Sequence, residues 1–164
     1  MAQTSFLNSD SLNLNLPPVE LKLVRRNGIL RVFDPLRKNY FIVTPEELVR
    51  QSFVAWLINY LHYPSPFMAN EIGIRLNETF KRCDTVVFKQ DGKPLMIIEY
   101  KAPTVNLNQD VFDQIVRYNL VLNAPFLVVS NGIKHYCCKT DLNSFSYSFL
   151  TEIPDYNQIK ALLS

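Results

Sequence analysis

The sequence predicts an α/β domain with a mixed central sheet flanked by helices. A helical pattern at residues 45–62 is followed by strand-like segments between 68 and 101. A second helical pattern at 109–122 then precedes a continuous apolar segment at 125–130. A helix between two buried strands is typical of a parallel crossover, so we expect parallel and antiparallel pairs in one sheet.

Length and composition are those of one globular domain. The chain has 164 residues, of which 48% are hydrophobic and 20% charged. Residues 1–18 end in two prolines and lack a periodic pattern, so we expect a flexible N-terminal arm followed by a single domain at 19–164. Neither a secretory signal nor an apolar stretch of about 20 residues is present. We therefore expect a cytoplasmic protein without a membrane contact.

The first elements of the domain are short strands. Asn27-Gly28 lies between two apolar segments at 21–25 and 29–33, which is a strong signal for a β-hairpin. Residues 40–43 could add a further short strand. An N-terminal β-hairpin is therefore expected ahead of the first helix.

The first helix has a clear start. Thr44 suits the N-cap, Pro45 suits the first helical position, and Glu46 and Glu47 fall in the first turn, where the helix dipole favours negative charge. Apolar residues then recur at helical spacing to about His62. From the residues alone, the two acids are explained by helix capping.

The central part of the chain is a hairpin with charged residues at one end. We predict strands at 83–88 and 94–101, joined by a two-residue turn at Asp91-Gly92. Because strand side chains alternate, Glu99 and Lys101 lie on one face. Pairing across the turn brings Asp84 towards them.

Two carboxylates beside one lysine suit a hard divalent cation. Magnesium is commonly held by one or two carboxylates and completes its coordination with water and substrate phosphate, so Asp84 and Glu99 are candidate ligands. Lys101 could orient an attacking water or stabilise developing negative charge. The alternative is an ordinary ion pair of Glu99 and Lys101 at an exposed strand end, with Asp84 in an unrelated turn.

The later elements complete the sheet. Gln109 to Leu122 is predicted as a helix, in which Gln114 and Tyr118 are one turn apart. Strands follow at 125–130, 135–139 and 145–150, with a closing helix at 155–163. In the simpler interpretation of the second helix, Tyr118 belongs to the core and Gln114 is exposed.

Four sequence features resemble a known family of nucleases. They are Asp84 followed after fourteen residues by Glu99-Tyr100-Lys101, the tripeptide Arg82-Cys83-Asp84, the run IIEYKAP at 97–103, and Gln114-x-x-x-Tyr118. Together they resemble the PD-(D/E)xK superfamily, and in particular the N-terminal nuclease domain of type I restriction enzyme R subunits, over about residues 40–140. The resemblance implies a restriction-endonuclease-like core of the order αβββαβ.

The resemblance also implies an activity, a cofactor and a set of residues. It implies a metal-dependent endonuclease that hydrolyses DNA phosphodiester bonds with Mg²⁺ or Mn²⁺. Asp84 and Glu99 would hold the metal, with the backbone carbonyl of Tyr100 as a further ligand, and Lys101 would act on the water or the transition state. Family members have a glutamate four residues before an arginine, as in Glu46 and Arg50, although Glu47 remains an alternative. Gln114 and Tyr118 would flank the pocket.

The implied partners are DNA, motor or specificity subunits, and a second copy of the chain. The residues expected to contact nucleic acid are Arg50, Arg82, Lys89 and Lys93. The net charge is only +2, so DNA affinity would depend on such local clusters. No motor sequence is present, so translocation would need a partner. Two alternatives remain: an inactive nucleic-acid-binding or protein-interaction module on the same fold, and hydrolysis of RNA or of damaged or branched DNA.

Overall fold

The N-terminal part of the chain forms an antiparallel sheet of four strands. The structure is a computed structural model that describes residues 3–8 and 12–164. The strands lie in the order β1-β2-β3-β4, at Gln3–Asn8, Glu20–Arg26, Ile29–Asp34 and Asn39–Ile42. The predicted hairpin is confirmed: Arg26 pairs with Ile29, and Asn27 and Gly28 between them have positive φ angles of 50° and 76°.

One part of the arm expected at residues 1–18 is a strand instead. β1 pairs with β2 from Gln3↔Arg25 to Asn8↔Glu20, and Leu7 packs beside the small core of this sheet. The expectation of an irregular lead-in is therefore wrong for residues 3–8, because pairing with a later strand is not visible in local composition. Residues 1–2 and 9–11 lie outside the described part of the chain. The division into an arm and one domain at 19–164 stays a prediction.

The central sheet has six strands and is mixed, which confirms the predicted α/β class. The spatial order is β10-β9-β8-β7-β6-β5. Only the β7–β8 pair is parallel among these neighbours. The strands are β5 (Met68–Leu76), β6 (Thr79–Phe88), β7 (Pro94–Tyr100), β8 (Phe126–Ser130), β9 (His135–Asp141) and β10 (Ser146–Leu150).

The part of the chain that the structure describes contains three α-helices, α1 (Pro45–Asn59), α2 (Gln109–Leu122) and α3 (Tyr156–Ala161), and a short 3-10 helix at Ser65–Phe67. The side-chain oxygen of Thr44 accepts a hydrogen bond from Glu47 N and so caps α1 as predicted. Asn108 caps α2 in the same way. None of the helices within the described residues is long and apolar enough to cross a membrane.

The two longer helices cover opposite faces of the central sheet. On one face, α1 packs Phe53 and Leu57 in a cluster with Ile98 of β7. On the other face, α2 packs Ile115 in a cluster with Ile97 of β7 and Leu127 of β8. β7 is therefore buried on both faces, which explains its nearly continuous apolar sequence.

The turn of the central hairpin is longer than the sequence predicts. Phe88 pairs with Pro94, and Lys89 N donates to Lys93 O across the loop at 2.8 Å. Gly92 has a φ of 81°, so it occupies the left-handed position of this longer turn rather than one side of a two-residue turn. The register shifts between the pairs Val87↔Met96 and Phe88↔Pro94, so β7 has one residue more than β6 over this step. The hairpin itself is confirmed.

Candidate active site at the open end of the central hairpin

The predicted carboxylates lie where strands β6 and β7 separate. The ladder between these strands ends at the pair Thr85↔Ile98, so Asp84 and Glu99 are the next residues beyond it. Asp84 Oδ2 accepts a hydrogen bond from Tyr100 N at 2.8 Å, which replaces a strand-to-strand backbone bond. Both acids are nearly enclosed, with relative exposures of 8% for Asp84 and 4% for Glu99.

Lys101 and Gln114 form a small network with Glu99. Lys101 Nζ lies 3.4 Å from Glu99 Oε1 and 3.3 Å from Gln114 Oε1. The amide of Gln114 donates to Glu99 Oε1 at 2.7 Å and to the Tyr118 hydroxyl at 2.9 Å. Gln114 therefore contacts Glu99, Lys101 and Tyr118, and it links the Tyr118 hydroxyl to the other two side chains.

Glu99 is a strongly perturbed carboxyl group. Burial, together with the nearby negative charge of Asp84, raises the pKa of Glu99 to about 8, although Lys101 acts in the opposite direction. Burial also raises the pKa of Asp84, against the effect of Arg50. Glu99 Oε2 is buried and has no hydrogen-bond partner among the described residues. Either a proton shared with Asp84 or a bound cation would relieve this arrangement.

Arg50 occupies the other side of Asp84. Its guanidinium donates to Asp84 Oδ1 at 3.0 Å and to Glu47 Oε2 at 2.8 Å, and it lies 2.6 Å from Glu71 Oε1. Burial alone would lower the pKa of Arg50, but these three carboxylates outweigh burial and raise it. The side chain is only 5% exposed. The structure therefore does not favour the nucleic-acid contact predicted for Arg50.

Glu46 and Glu47 face different partners. Glu47 is buried and paired with Arg37, Arg50 and Gln51. Glu46 is only partly buried, and burial together with the charge of Asp84 raises its pKa, while Lys101 lowers it. Glu46 is thus close enough to Asp84 and Lys101 for their charges to affect its pKa, whereas Glu47 is taken up by its own ion pairs. The assignment of Glu46 to the site stays a prediction, with Glu47 as the alternative.

The other predicted nucleic-acid contacts lie at two ends of the hairpin. Arg82 is two residues from Asp84, has a 66% exposed side chain and lies 3.6 Å from Glu71. Lys89 and Lys93 flank the turn at the opposite end of β6 and β7. At about 3.3 Å per residue, this turn is roughly 17 Å from Glu99. The structure brings Arg82 to the site and leaves the two lysines remote from it.

Glu71 is a further acid near the site. Its side chain is 24% exposed and pairs with both Arg50 and Arg82. Its φ of 58° is unusual for a residue within a strand. Neither its position in β5 nor its neighbours in sequence signal this conformation. Only the pairing of β5 with β6 brings it to the site.

The donor set suits a cation with few protein ligands. Within residues 3–8 and 12–164, no group of three or more aspartate, glutamate, histidine or cysteine side chains is arranged to hold a metal. Two adjacent carboxylates, one with a buried oxygen that lacks a partner, nevertheless match the one or two carboxylates that magnesium commonly takes from a protein. The residues present therefore fit a small oxygen-liganded ion that completes its shell from water and substrate.

A buried acid pair, an adjacent lysine and a glutamine–tyrosine pair on a crossover helix thus lie together at the open end of the central hairpin. The family model of the type I restriction enzyme R protein N terminus matches residues 45–154, and the chain belongs to this family. The matched segment includes α1, the whole central hairpin and α2. No curated protein matches the chain.

Proposed function

We propose that this protein is a metal-dependent endonuclease that hydrolyses DNA phosphodiester bonds. The observation that supports this proposal most directly is the pair of buried carboxylates. Glu99 Oε2 has no hydrogen-bond partner among the described residues, Asp84 lies beside it, and Lys101 Nζ is 3.4 Å from Glu99 Oε1. In the metal-free protein a proton shared with Asp84 can satisfy this oxygen, and in the proposed enzyme a cation would take the place of that proton.

The order of elements supports a restriction-endonuclease-like core. Along the chain, α1, β5, β6, β7, α2 and β8 follow one another in the order αβββαβ, apart from a short 3-10 helix. The candidate residues lie on or directly after β6 and β7 and on the helices α1 and α2. Membership of the restriction enzyme R family supports the same assignment.

The cofactor in this proposal is Mg²⁺ or Mn²⁺. Asp84 and Glu99 would hold it, and the Tyr100 carbonyl and Glu46 are further candidate ligands. When bound, the ion would supply positive charge for phosphoryl oxygens and would lower the pKa of a bound water. The deprotonated forms of Asp84 and Glu99 are the ligating forms, so the raised pKa values of both acids would fall on binding.

The remaining residues would position the reacting groups. Lys101 is partly exposed and directed to Glu99, so its ammonium could orient the attacking water or stabilise negative charge on the phosphate. Gln114 would hold Glu99 and Lys101 at fixed positions, and Tyr118 would fix the amide of Gln114. Arg50 would keep Asp84 ionised without facing substrate.

One observation favours the alternative, an inactive binding module on the same fold. Arg50 already neutralises Asp84 with a hydrogen bond of 3.0 Å, so one of the two proposed ligands has a cation partner without metal. A module of this kind would bind nucleic acid or protein and would not need a metal. DNA, motor or specificity subunits and a second copy are the proposed partners in either case, and a cytoplasmic location stays a prediction.

Plasmid cleavage distinguishes the two functions. We would incubate supercoiled plasmid with the native chain, Glu99→Gln and Lys101→Ala, with Mg²⁺ or Mn²⁺ and with EDTA. The exposed Lys160 on α3 provides a charge control, Lys160→Ala. We expect metal-dependent cleavage by the native chain and the control only. Metal-dependent cleavage that persists in Lys101→Ala would contradict the role of Lys101.

Metal binding gives a second readout. Calorimetric titration with Mn²⁺ should show binding to the native chain and none to Asp84→Asn. A folded native chain that binds no metal and leaves the plasmid intact would establish the inactive module instead.

A further inference from the structure

Strands β5 and β6 extend past the candidate active site as a two-stranded projection. β6 pairs with β7 only as far as Thr85, but it stays paired with β5 to the two-residue turn after Leu76↔Thr79. We call residues 72–83 the projecting hairpin. From Thr85 to Thr79 is six residues, or roughly 20 Å at the usual rise of a strand. The hairpin therefore starts at the site and reaches well beyond it.

The two faces of the projecting hairpin differ. Ile74 is 4% exposed and belongs to the cluster that includes Ile115 of α2, so one face is packed and holds the hairpin in place. Cross-strand partners share a face, and the opposite face contains the pairs Arg75↔Phe80 and Gly73↔Arg82. All four of these residues are exposed. The hairpin thus offers one ordered, solvent-facing surface.

Phe80 forms a flat platform on this surface. Its ring lies so close to Gly73 that a Cβ at residue 73 would overlap it. Gly73 is not among the residues with positive φ, so the backbone conformation does not require glycine, and the missing side chain serves to admit the ring. Phe80 is nevertheless 69% exposed. The outer edge of the ring, at Cζ, lies over the glycine, and the ring as a whole remains widely accessible to solvent.

The charges around the platform are mostly positive. The projecting hairpin contains Arg75, Lys81 and Arg82 against one acid, Glu78; Lys81 pairs with Ile74 and so belongs to the other face. Arg82 forms an ion pair with Glu71 at 3.6 Å, but its side chain is 66% exposed, and an exposed pair of this length is weak. The two arginines lie on the same face as Phe80, so a ligand seated on the ring would meet positive charge on either side.

We propose that the projecting hairpin binds single-stranded DNA, with an unpaired base stacked on Phe80 and flanking phosphates contacted by Arg75 and Arg82. Aromatic rings beside cationic groups are the general means of binding single strands, because every base has a face to stack. Bases in an intact duplex already stack on one another, so the ring would gain little there. The proposal rests on the proposed function and specifies the form of DNA presented to the site, because Phe80 is four residues from Asp84 on β6.

Binding is measured without metal so that it does not depend on cleavage. Fluorescence anisotropy in EDTA would follow a fluorescein-labelled 20-nucleotide single strand of mixed sequence and the blunt duplex of the same sequence. The variants are Phe80→Leu, which retains an apolar cover over Gly73, Phe80→Trp, which retains a ring, and the single changes Arg75→Ala and Arg82→Ala. Lys160→Ala removes an exposed charge on α3, outside the hairpin, and is the matched control.

We expect the native chain to bind the single strand more tightly than the duplex. Phe80→Leu should weaken single-strand binding by about tenfold, and Phe80→Trp should restore it. Arg75→Ala and Arg82→Ala should each reduce the slope of log affinity against log salt by about 0.7. Equal single-strand affinities for Phe80→Leu and the native chain, or equal affinities for the two DNA forms, would overturn the proposal.

The outcome is separable from that of the proposed nuclease activity. Selective single-strand binding without metal-dependent cleavage would retain the hairpin proposal and refute the nuclease. The opposite result would be metal-dependent cleavage by the native chain, with DNA affinity unchanged in Phe80→Leu, Arg75→Ala and Arg82→Ala. It would retain the nuclease and refute the hairpin proposal.

Discussion

Arg50 Nη2 lies 3.0 Å from Asp84 Oδ1, so a buried arginine is bonded to an acid that also stands beside Glu99. Because of this contact, the two acids differ in how fully their oxygens are hydrogen-bonded. Asp84 is held by Arg50 on one oxygen and by Tyr100 N on the other, whereas Glu99 retains an unsatisfied oxygen. Asp84 is therefore the more rigid of the pair, and Glu99 is the group whose state responds to a cation or a proton.

Replacing Arg50 should severely destabilise the fold. In Arg50→Met, the carboxylates of Glu47, Glu71 and Asp84 lose a shared buried partner, which typically costs about 3–5 kcal/mol. Denaturant unfolding in EDTA measures the loss. Arg82→Met is the control, because Arg82 is 66% exposed and pairs only weakly with Glu71, so we expect a loss below about 1 kcal/mol. Similar losses in the two variants would contradict this ranking.

Gln114 should matter for turnover more than for folding. Gln114→Leu removes the donor to Glu99 Oε1 and the acceptor for Lys101, so both groups would lose their orientation. Groups that orient metal ligands typically contribute 10- to 100-fold, and we expect cleavage to fall by about that factor. Gln109→Leu is a matched change on the exposed side of the same helix, where the amide contacts only Asp113 among the bonds described. An equal loss of cleavage in both variants would show that the loss comes from a change in α2 as a whole and not from the contacts of Gln114.

Local patterns in the sequence were sufficient to predict much of this fold. The bounds of α2 follow from the helical spacing of its apolar residues, and they are confirmed as Gln109–Leu122. The contact of Glu99 with Lys101 follows from the period of two in a strand. In each case the residues that determine the feature are adjacent in the chain.

Features that depend on distant pairing could not be predicted in the same way. Glu71 of β5 lies against Arg50 of α1, and this contact depends on the pairing of β5 with β6. The strand at Gln3–Asn8 exists because β2 provides its partner. The burial of Arg50 likewise depends on three acids from three different elements, which no spacing rule brings together.

The stability of the metal-free protein should fall as pH rises. The pKa of Glu99 is raised from 4.5 to about 8 by burial and by Asp84, so the folded state binds a proton that the unfolded state releases between these values. The stabilisation from this proton is fully present below about pH 4.5 and is lost by about pH 8. Between these values the free energy of unfolding should fall by at most about 1.4 kcal/mol per pH unit.

Unfolding in EDTA between pH 5 and 9 tests this dependence. In Glu99→Gln, a neutral amide replaces the protonated carboxyl, so the curve should be flatter than that of the native chain. Saturating Mg²⁺ should also flatten the native curve, because a bound cation stabilises the ionised acids. Parallel curves for the native chain and Glu99→Gln in EDTA would show that Glu99 is ionised throughout this range.

Asp34 should connect the stability of the N-terminal sheet to that of the active site. This acid on β3 is fully buried; it accepts a hydrogen bond from Asn70 at 2.8 Å and forms an ion pair with Arg37. Asn70 in turn accepts from Thr85, whose hydroxyl accepts from Tyr100. A continuous chain of contacts therefore reaches from β3, which precedes the family-matched segment, to β7 beside Glu99.

Asp34→Ala should therefore destabilise the whole protein by about 3–5 kcal/mol, because Arg37 and Asn70 lose a buried partner. Burial opposes ionisation, but the bonds from Asn70, Arg37 and the backbone prevail and lower the pKa of Asp34. Its contribution is thus present above the unfolded pKa near 3.8 and is lost as pH falls through the lower folded value. Acid unfolding should be correspondingly less steep in the variant. Asp141→Ala changes an exposed acid with only local bonds and serves as the control. If unfolding of Asp34→Ala were indistinguishable from that of Asp141→Ala, the two sheets would be energetically independent.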